Sequence, residues 1–287
     1  MNEKFKIITS PHMGYCFGVK RAIKLLMEGV GEFGGDNIYT LGEIIHNPQA
    51  VQKIKNMGVK SAESLSDVSK GDTLVIRAHG VERDIFDAAR RKRINLIDTT
   101  CPFVKRSQEY VQRLHSQGRS VIIIGHSDHP EVIGISGHAK NKPIVIKSVE
   151  EAESLSSLRK AGVITQTTFS REKSDLFIEV LKNHIPDLIV YDTICQATVR
   201  RQIATMSIAS EVDIMLVVGG KKSSNTKRLH MMCLENGISS KHIEVAAEID
   251  PGWFEGVDKI GLTTGTSTPD WVIEEVEKKL NELAASG

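Results

Sequence analysis

Three observations in the sequence predict an α/β chain built on mainly parallel sheets. Short β-branched runs alternate with helical patterns from one end to the other. The runs are apolar along their length, as befits strands covered on both faces. A phrase that opens with cysteine also recurs, at 16, 101 and 195, and its spacings of 85 and 94 residues each match a small α/β lobe.

In chain order, buried strands are read over 5–9, 74–76, 96–98, 121–125, 144–146, 188–191, 214–218 and 259–263. Helix signals lie between them. Pro48 opens a helix running to Met57, Gly118 follows the helix that starts near Val104, and Pro269 opens the C-terminal helix. No long linker or low-complexity tract interrupts the alternation.

A chain of 287 residues that is 40% apolar can fill two or three small cores. Its 37 Lys and Arg nearly cancel its 36 Asp and Glu, so no general basic field draws nucleic acid or an anionic membrane, and an anionic ligand must be met locally. Residues 1–10 lack the apolar core of a signal peptide, and apolar runs such as 214–218 are too short to cross a bilayer. The expected location is cytoplasmic, with no membrane and no nucleic-acid partner.

Four cysteines lie far apart, a pattern that disfavours a disulfide framework and favours metal or redox chemistry. Cys16-Phe-Gly-Val-Lys-Arg21, Cys101-Pro-Phe-Val-Lys-Arg106 and Cys195-Gln-Ala-Thr-Val-Arg-Arg201 are variants of one phrase, the third longer by one residue. Each cysteine is placed at a strand-to-helix corner, where amide N–H groups and the helix dipole favour a thiolate. One such cysteine could simply fill core space. Three repeated corners point instead to a shared metal centre, provided the lobes pack about a pseudo-threefold axis. Cys233, in a helical run over 227–236, reads as a packing residue. Thiolates select zinc or iron–sulfur clusters. No close Cys pair of the structural-zinc kind is present, although a Cys₃His zinc site stays open. Three cysteines on a cubane leave one iron free of protein and able to bind substrate.

Polar candidates cluster where strands end. His46, His79 and His129 each follow a strand-like run, the position at which α/β folds bind ligands. The run 219–226, Gly-Gly-Lys-Lys-Ser-Ser-Asn-Thr, joins a buried strand to a helix and can cradle a phosphate, although Ser224 or Asn225 could equally be a plain helix cap. It is not a Walker A loop. The run 261–270 repeats that arrangement. Glu131, two residues after His129, is the candidate proton donor for loss of a hydroxyl group as water; the alternative is an exposed loop glutamate. Thr165-Gln-Thr-Thr168, at the end of another strand, could hold a water or a substrate hydroxyl, or only satisfy a turn.

Eight ordered motifs carry a resemblance: Cys-Phe-Gly-Val-Lys-Arg, Ile-His-Asn-Pro, Arg-Ala-His-Gly-Val, Thr-Cys-Pro, His-Pro-Glu, Thr-Gln-Thr-Thr, Ser-Ser-Asn-Thr and Thr-Ser-Thr-Pro-Asp. Nearly end to end, the chain resembles the 4-hydroxy-3-methylbut-2-enyl diphosphate reductase (LytB) family, which performs the last step of the non-mevalonate isoprenoid pathway. The resemblance implies a trefoil of three α/β lobes around a [4Fe–4S] cluster, at 15–100, at 101–194, and at 1–14 joined to 195–287. The reaction it implies reduces the allylic alcohol to isopentenyl and dimethylallyl diphosphates, with electrons from a ferredoxin- or flavodoxin-type donor. By motif, Cys16, Cys101 and Cys195 would ligate the cluster. His46, His79, Ser223, Ser224, Asn225 and Ser267 would hold the diphosphate, His129 would assist binding, Thr167 would steady the hydroxyl end and Glu131 would deliver the proton.

Three positions depart from the family pattern: Thr264 and Thr266 stand where Ala is usual, and Glu43 stands where Pro is frequent. The C-terminal phosphate loop is therefore expected to be bulkier and more polar than in relatives. Two other classes remain open at this point. A zinc-stabilised or redox-sensing module would be colourless, and a phosphate-ester hydrolase or transferase would lack an evident magnesium-binding carboxylate cluster.

Overall fold

Strand β1 (Lys6–Thr9) leads through a loop to helix α1 (Phe17–Phe33). There follow β2 (Ile38–Leu41), α2 (Pro48–Lys55), β3 (Lys60–Ala62), β4 (Thr73–Ile76), α3 (Arg83–Lys92), β5 (Asn95–Asp98) and α4 (Pro102–Ser116). The next stretch is β6 (Ser120–Ile124), α5 (Pro130–Ser136), β7 (Ile144–Ile146), α6 (Val149–Glu153), β8 (Lys160–Thr165), α7 (Arg171–His184), β9 (Asp187–Val190) and α8 (Gln196–Ala209). The chain closes with β10 (Ile214–Val218), α9 (Ser224–Glu235), β11 (Ser239–Ile243), β12 (Lys259–Thr264) and α10 (Asp270–Ala285). The computed structural model describes residues 4–285, so residues 1–3 and 286–287, at the outer ends of the third expected lobe, lie outside the described residues.

The strands form three four-stranded parallel sheets with one order: β3-β2-β4-β5, β7-β6-β8-β9 and β11-β10-β12-β1. The N-terminal strand β1 thus supplies the fourth position of the sheet whose other three strands come last in the chain. Every residue of β4 and β10 is buried, as the apolar runs required. The fourth strands β5 and β9 and the terminal β1 are only part-covered, consistent with edge positions.

Each strand read from the sequence is present within a residue or so of its expected bounds. Strands β2, β3 and β11 were not anticipated, and β8 was anticipated only at its end. Strand β3 has three residues and β11 reads Ser-Ser-Lys-His-Ile, so neither carries an apolar run. Helix α2 stops at Lys55 rather than Met57, because the chain turns into Gly58 at φ 89°.

By compactness the chain divides into two units: Met1–Val19 with Ile45–Lys53 and Gln196–Gly287, and Lys20–Ile44 with Ile54–Cys195. The first holds the β11-β10-β12-β1 sheet and packs Leu216, Val218, Ile260 and Leu262 against Val272, Val276 and Leu280 of α10. The second holds the other two sheets. Within it Gly162 of β8 admits Leu114 of α4, where a Cβ would meet the Leu114 side chain at 2.1 Å. That close approach seats the helix whose first cap is Cys101. Among the described residues, no helix is long and apolar enough to cross a membrane.

Candidate active site

The three sheets place the candidate residues at matching positions. Five residues beyond the end of each first strand stand His46, His129 and Ser223, counted from Leu41, Ile124 and Val218. Two residues beyond the end of each third strand, counted from Ile76, Thr165 and Thr264, stand Ala78, Thr167 and Thr266. The carbonyl of each accepts the backbone N–H of a cysteine: Cys101 to Ala78 at 2.9 Å, Cys195 to Thr167 at 2.9 Å and Cys16 to Thr266 at 3.0 Å. The repeat legible in the cysteines is therefore a repeat of the whole strand-end apparatus. All three cysteines are part-exposed and directly precede a helix, at Phe17, Pro102 and Gln196. Cys233, in contrast, is buried beside Met215 and Ile208, and burial pushes its thiol up to about 11. It fits the packing role expected of it.

In the second unit, Glu131 is the second residue of α5 and is only 2% exposed, not the exposed loop glutamate that the sequence left open. Its Oε1 accepts the Thr167 N–H at 2.6 Å and its Oε2 accepts the Thr167 hydroxyl at 2.7 Å. Burial, outweighing the two Thr167 bonds that favour the carboxylate, raises its pKa from 4.5 to about 6. Since the Thr167 carbonyl also receives Cys195 N–H, a continuous hydrogen-bonded path links the carboxyl to that cysteine corner. His129 caps α5: its Nδ1 accepts the Glu131 N–H at 3.1 Å, which places the proton of the neutral ring on Nε2. His79 follows Ala78, the acceptor for Cys101, and its ring meets that of His129 edge to face with centroids 5.7 Å apart. Five of the sequence candidates, Cys101, Cys195, His79, Thr167 and Glu131, are thus joined with His129 through direct bonds, ring contact or adjacent residues.

In the first unit, Ser223 caps α9 by accepting the Thr226 N–H. That satisfies the plain capping role for Ser223, not for Ser224 or Asn225. Asn225 is 2% exposed, yet both its Oδ1 and Nδ2 are buried without a hydrogen-bond partner. Such an amide is costly unless a ligand completes it. Gly220 sits against the backbone of His46, where a Cβ would lie 2.4 Å from the carbonyl oxygen, and Ser267 Oγ donates to the same carbonyl at 3.1 Å. The Gly-Gly-Lys-Lys-Ser-Ser-Asn loop, His46 and Ser267 are thereby gathered at one end of this sheet, with α9 directing its N-terminus there. Asn47, quoted in a motif but not singled out, caps α2 through Oδ1 to Ala50 N–H and keeps a buried, unpartnered Nδ2.

One expectation needs correction. Thr264 does not make the phosphate loop bulkier: it is fully buried, and its hydroxyl accepts the Gly14 N–H at 2.9 Å, on the loop leading to Cys16. The extra polar group is consumed between two loops. Arg201, at the end of the third cysteine phrase, was also missed, and its guanidinium is bound to the same pair of loops.

Comparison with known proteins comes to the same place. The family described as LytB protein matches residues 7–281. A relative from Caldanaerobacter subterraneus subsp. tengcongensis, named 4-hydroxy-3-methylbut-2-enyl diphosphate reductase, is 43% identical over 280 residues and 97% of both chains. One of the same name from Geotalea daltonii is 44% identical over 279 residues, 97% of this chain and 98% of its own. The solved structure of (E)-4-hydroxy-3-methyl-but-2-enyl diphosphate reductase, the terminal enzyme of the non-mevalonate pathway, is 40% identical, with 97% and 99% of the two chains covered and a TM-score of 0.72. The Plasmodium falciparum E-1-hydroxy-2-methyl-but-2-enyl-4-diphosphate reductase is 30% identical, with coverage of 98% and 88% and a TM-score of 0.91. Relatives of this identity align along nearly the whole length, and the strand-end apparatus recurs in all three sheets: this chain belongs to the LytB family.

Proposed function

We propose that this chain is the iron–sulfur enzyme that reductively dehydroxylates (E)-4-hydroxy-3-methylbut-2-enyl diphosphate to isopentenyl and dimethylallyl diphosphates in the cytoplasm. The allylic alcohol takes up two electrons and two protons and loses its oxygen as water. A ferredoxin- or flavodoxin-type protein supplies the electrons. The three lobes are taken as 15–100, 101–194, and 1–14 with 195–287.

The observation that carries this reading is the buried Glu131 carboxyl, raised to about 6 and tied through Thr167 to the Cys195 corner. A protonatable acid bonded to a cysteine corner is what removal of a hydroxyl beside a metal requires. The donor type suits a [4Fe–4S] cluster: three part-exposed thiols at equivalent helix starts, with the fourth cysteine withdrawn into a core. Cys16, Cys101 and Cys195 would hold it. When bound, such a cluster supplies a Lewis-acidic iron and the route for electrons.

The chain's own residues do the rest. Asn225 offers two buried polar atoms to the diphosphate, and Ser223, Ser224, Ser267 and His46 complete its oxygens at the start of α9. His79 and the Nε2–H of His129 add donors from the other histidine loops. Thr167 holds the Glu131 carboxyl in one orientation, so that its proton is delivered to the departing hydroxyl. Anaerobic turnover of the hydroxylated diphosphate with reduced methyl viologen tests the assignment. The expected result is formation of both isomeric diphosphates; absence of product from protein with a full cluster content overturns it.

A further inference from the structure

The cysteine phrase closes on arginine in each copy, and the activity just proposed uses only its cysteine. In two copies the closing arginine is bound at the loop of a different cysteine. Arg21 Nη1 donates to the carbonyl of Thr100, the residue before Cys101, at 3.2 Å. Arg201 Nη2 donates to the Gly14 carbonyl at 2.8 Å, two residues before Cys16, while its Nη1 donates to the Thr264 carbonyl at 2.9 Å and lies 3.4 Å from the Thr264 hydroxyl. In the remaining copy Arg106 turns instead to the Tyr110 hydroxyl at 2.6 Å.

Arg201 is the more telling case because it is almost fully buried, at 4% exposure, and among the described residues it meets no carboxylate. Its Nε is buried without a partner. A guanidinium taken out of water and given only carbonyls and one hydroxyl is unfavourable unless another negative charge serves it. Burial pushes its pKa down to about 10, and the nearby Cys16 acts against that shift. Thr264 completes a clasp: its hydroxyl accepts Gly14 N–H as Arg201 binds the Gly14 carbonyl, so both polar groups of that residue are fixed. On the other side of the clasp, Thr266 receives Cys16 N–H, and its neighbour Ser267 donates to His46.

We propose that Arg201 is a positioning residue which, with Thr264, clamps the Cys16 loop to the loop bearing Ser267 and supplies a buried positive charge to the Cys16 sulfur. In this copy the arginine ties the Cys16 corner to the end of β12, and Arg21 binds the carbonyl beside Cys101. The proposal rests on Cys16 being a cluster ligand. Arg cannot be replaced by Lys without loss, since only the planar fork spans both carbonyls, although Lys keeps the charge.

The test compares anaerobically purified wild type with Arg201→Met, Arg201→Lys and Thr264→Ala. Three readouts are followed: the cluster midpoint potential, the rate of iron release to a chelator, and hydrogen exchange of residues 12–17 after the cluster is removed. Arg201→Met should shift the potential negative, release iron about tenfold faster, and speed exchange. Arg201→Lys should restore the potential but not the release rate. Thr264→Ala should speed exchange at Gly14 with the potential unchanged. Wild-type potential and release rate in Arg201→Met overturn the proposal. If that variant does not fold, wild-type behaviour of Arg201→Lys and Thr264→Ala in release and exchange overturns it as well. A wild-type chain that binds no cluster overturns the underlying reading instead, and unchanged exchange in Thr264→Ala then still refutes the clamp.

Discussion

Replacing Glu131 by Gln separates what its charge does from what its shape does. In the folded chain burial raises the carboxyl from 4.5 to about 6, a shift worth about 2 kcal/mol. An acid with a raised folded pKa binds its proton more tightly folded than unfolded. Its favourable contribution is therefore complete below pH 4.5 and is lost as the pH rises through about 6. Glutamine keeps an oxygen for the Thr167 N–H and offers an NH₂ to the Thr167 hydroxyl, with no charge to desolvate. Urea unfolding under anaerobic conditions should find Glu131→Gln close to wild type near about pH 4 and more stable by about 2 kcal/mol at about pH 7. Turnover should fall by about 100-fold or more, the loss expected when a positioned acid is removed, with cluster content and KM little changed. Turnover within a few-fold of wild type would remove Glu131 from the reaction. A variant less stable than wild type at neutral pH would refute the account of its burial.

Two further outcomes follow from the same geometry. The Thr167 hydroxyl lowers the Glu131 pKa, so Thr167→Val should raise it above about 6 and move the pH dependence of kcat/KM to higher pH, as a pH–rate profile would show. Asn225 has no protein partner to lose, so Asn225→Ala should leave thermal stability nearly unchanged yet weaken diphosphate binding by about 10-fold or more, read from KM and from inhibition by inorganic diphosphate.

Most of the fold was legible because its central strands are uninterrupted apolar runs such as 214–218, which few other structures accommodate. Two of the unread strands carry no apolar run, the three residues at Lys60–Ala62 and the polar Ser239–Ile243 edge, while the buried β2 sets Tyr39 and Thr40 between its apolar ends. The cysteine repeat was legible since one residue type recurs at the head of each phrase. The rest of the strand-end apparatus was not, because it reuses backbone positions with different side chains, as with His46, His129 and Ser223 at one equivalent place. Pairing of Glu131 with Thr167, residues 36 apart in sequence, depends on β6 and β8 lying side by side and has no local signature. Thr264 was misplaced for a related reason. A hydroxyl next to a small polar loop reads as added bulk and polarity in that loop until the neighbouring chain at Gly14 is known.

In the proposed reaction one inorganic cluster is held by the cysteines at 16, 101 and 195 and not by the one at 233. Iron and acid-labile sulfide, determined on anaerobically purified wild type and on the four single Cys→Ala variants, test it most directly. Wild type and Cys233→Ala should carry a full and equal complement, and the cluster should be lost when Cys16, Cys101 or Cys195 is replaced. A colourless wild-type chain, or a full complement retained by any of those three variants, would contradict it.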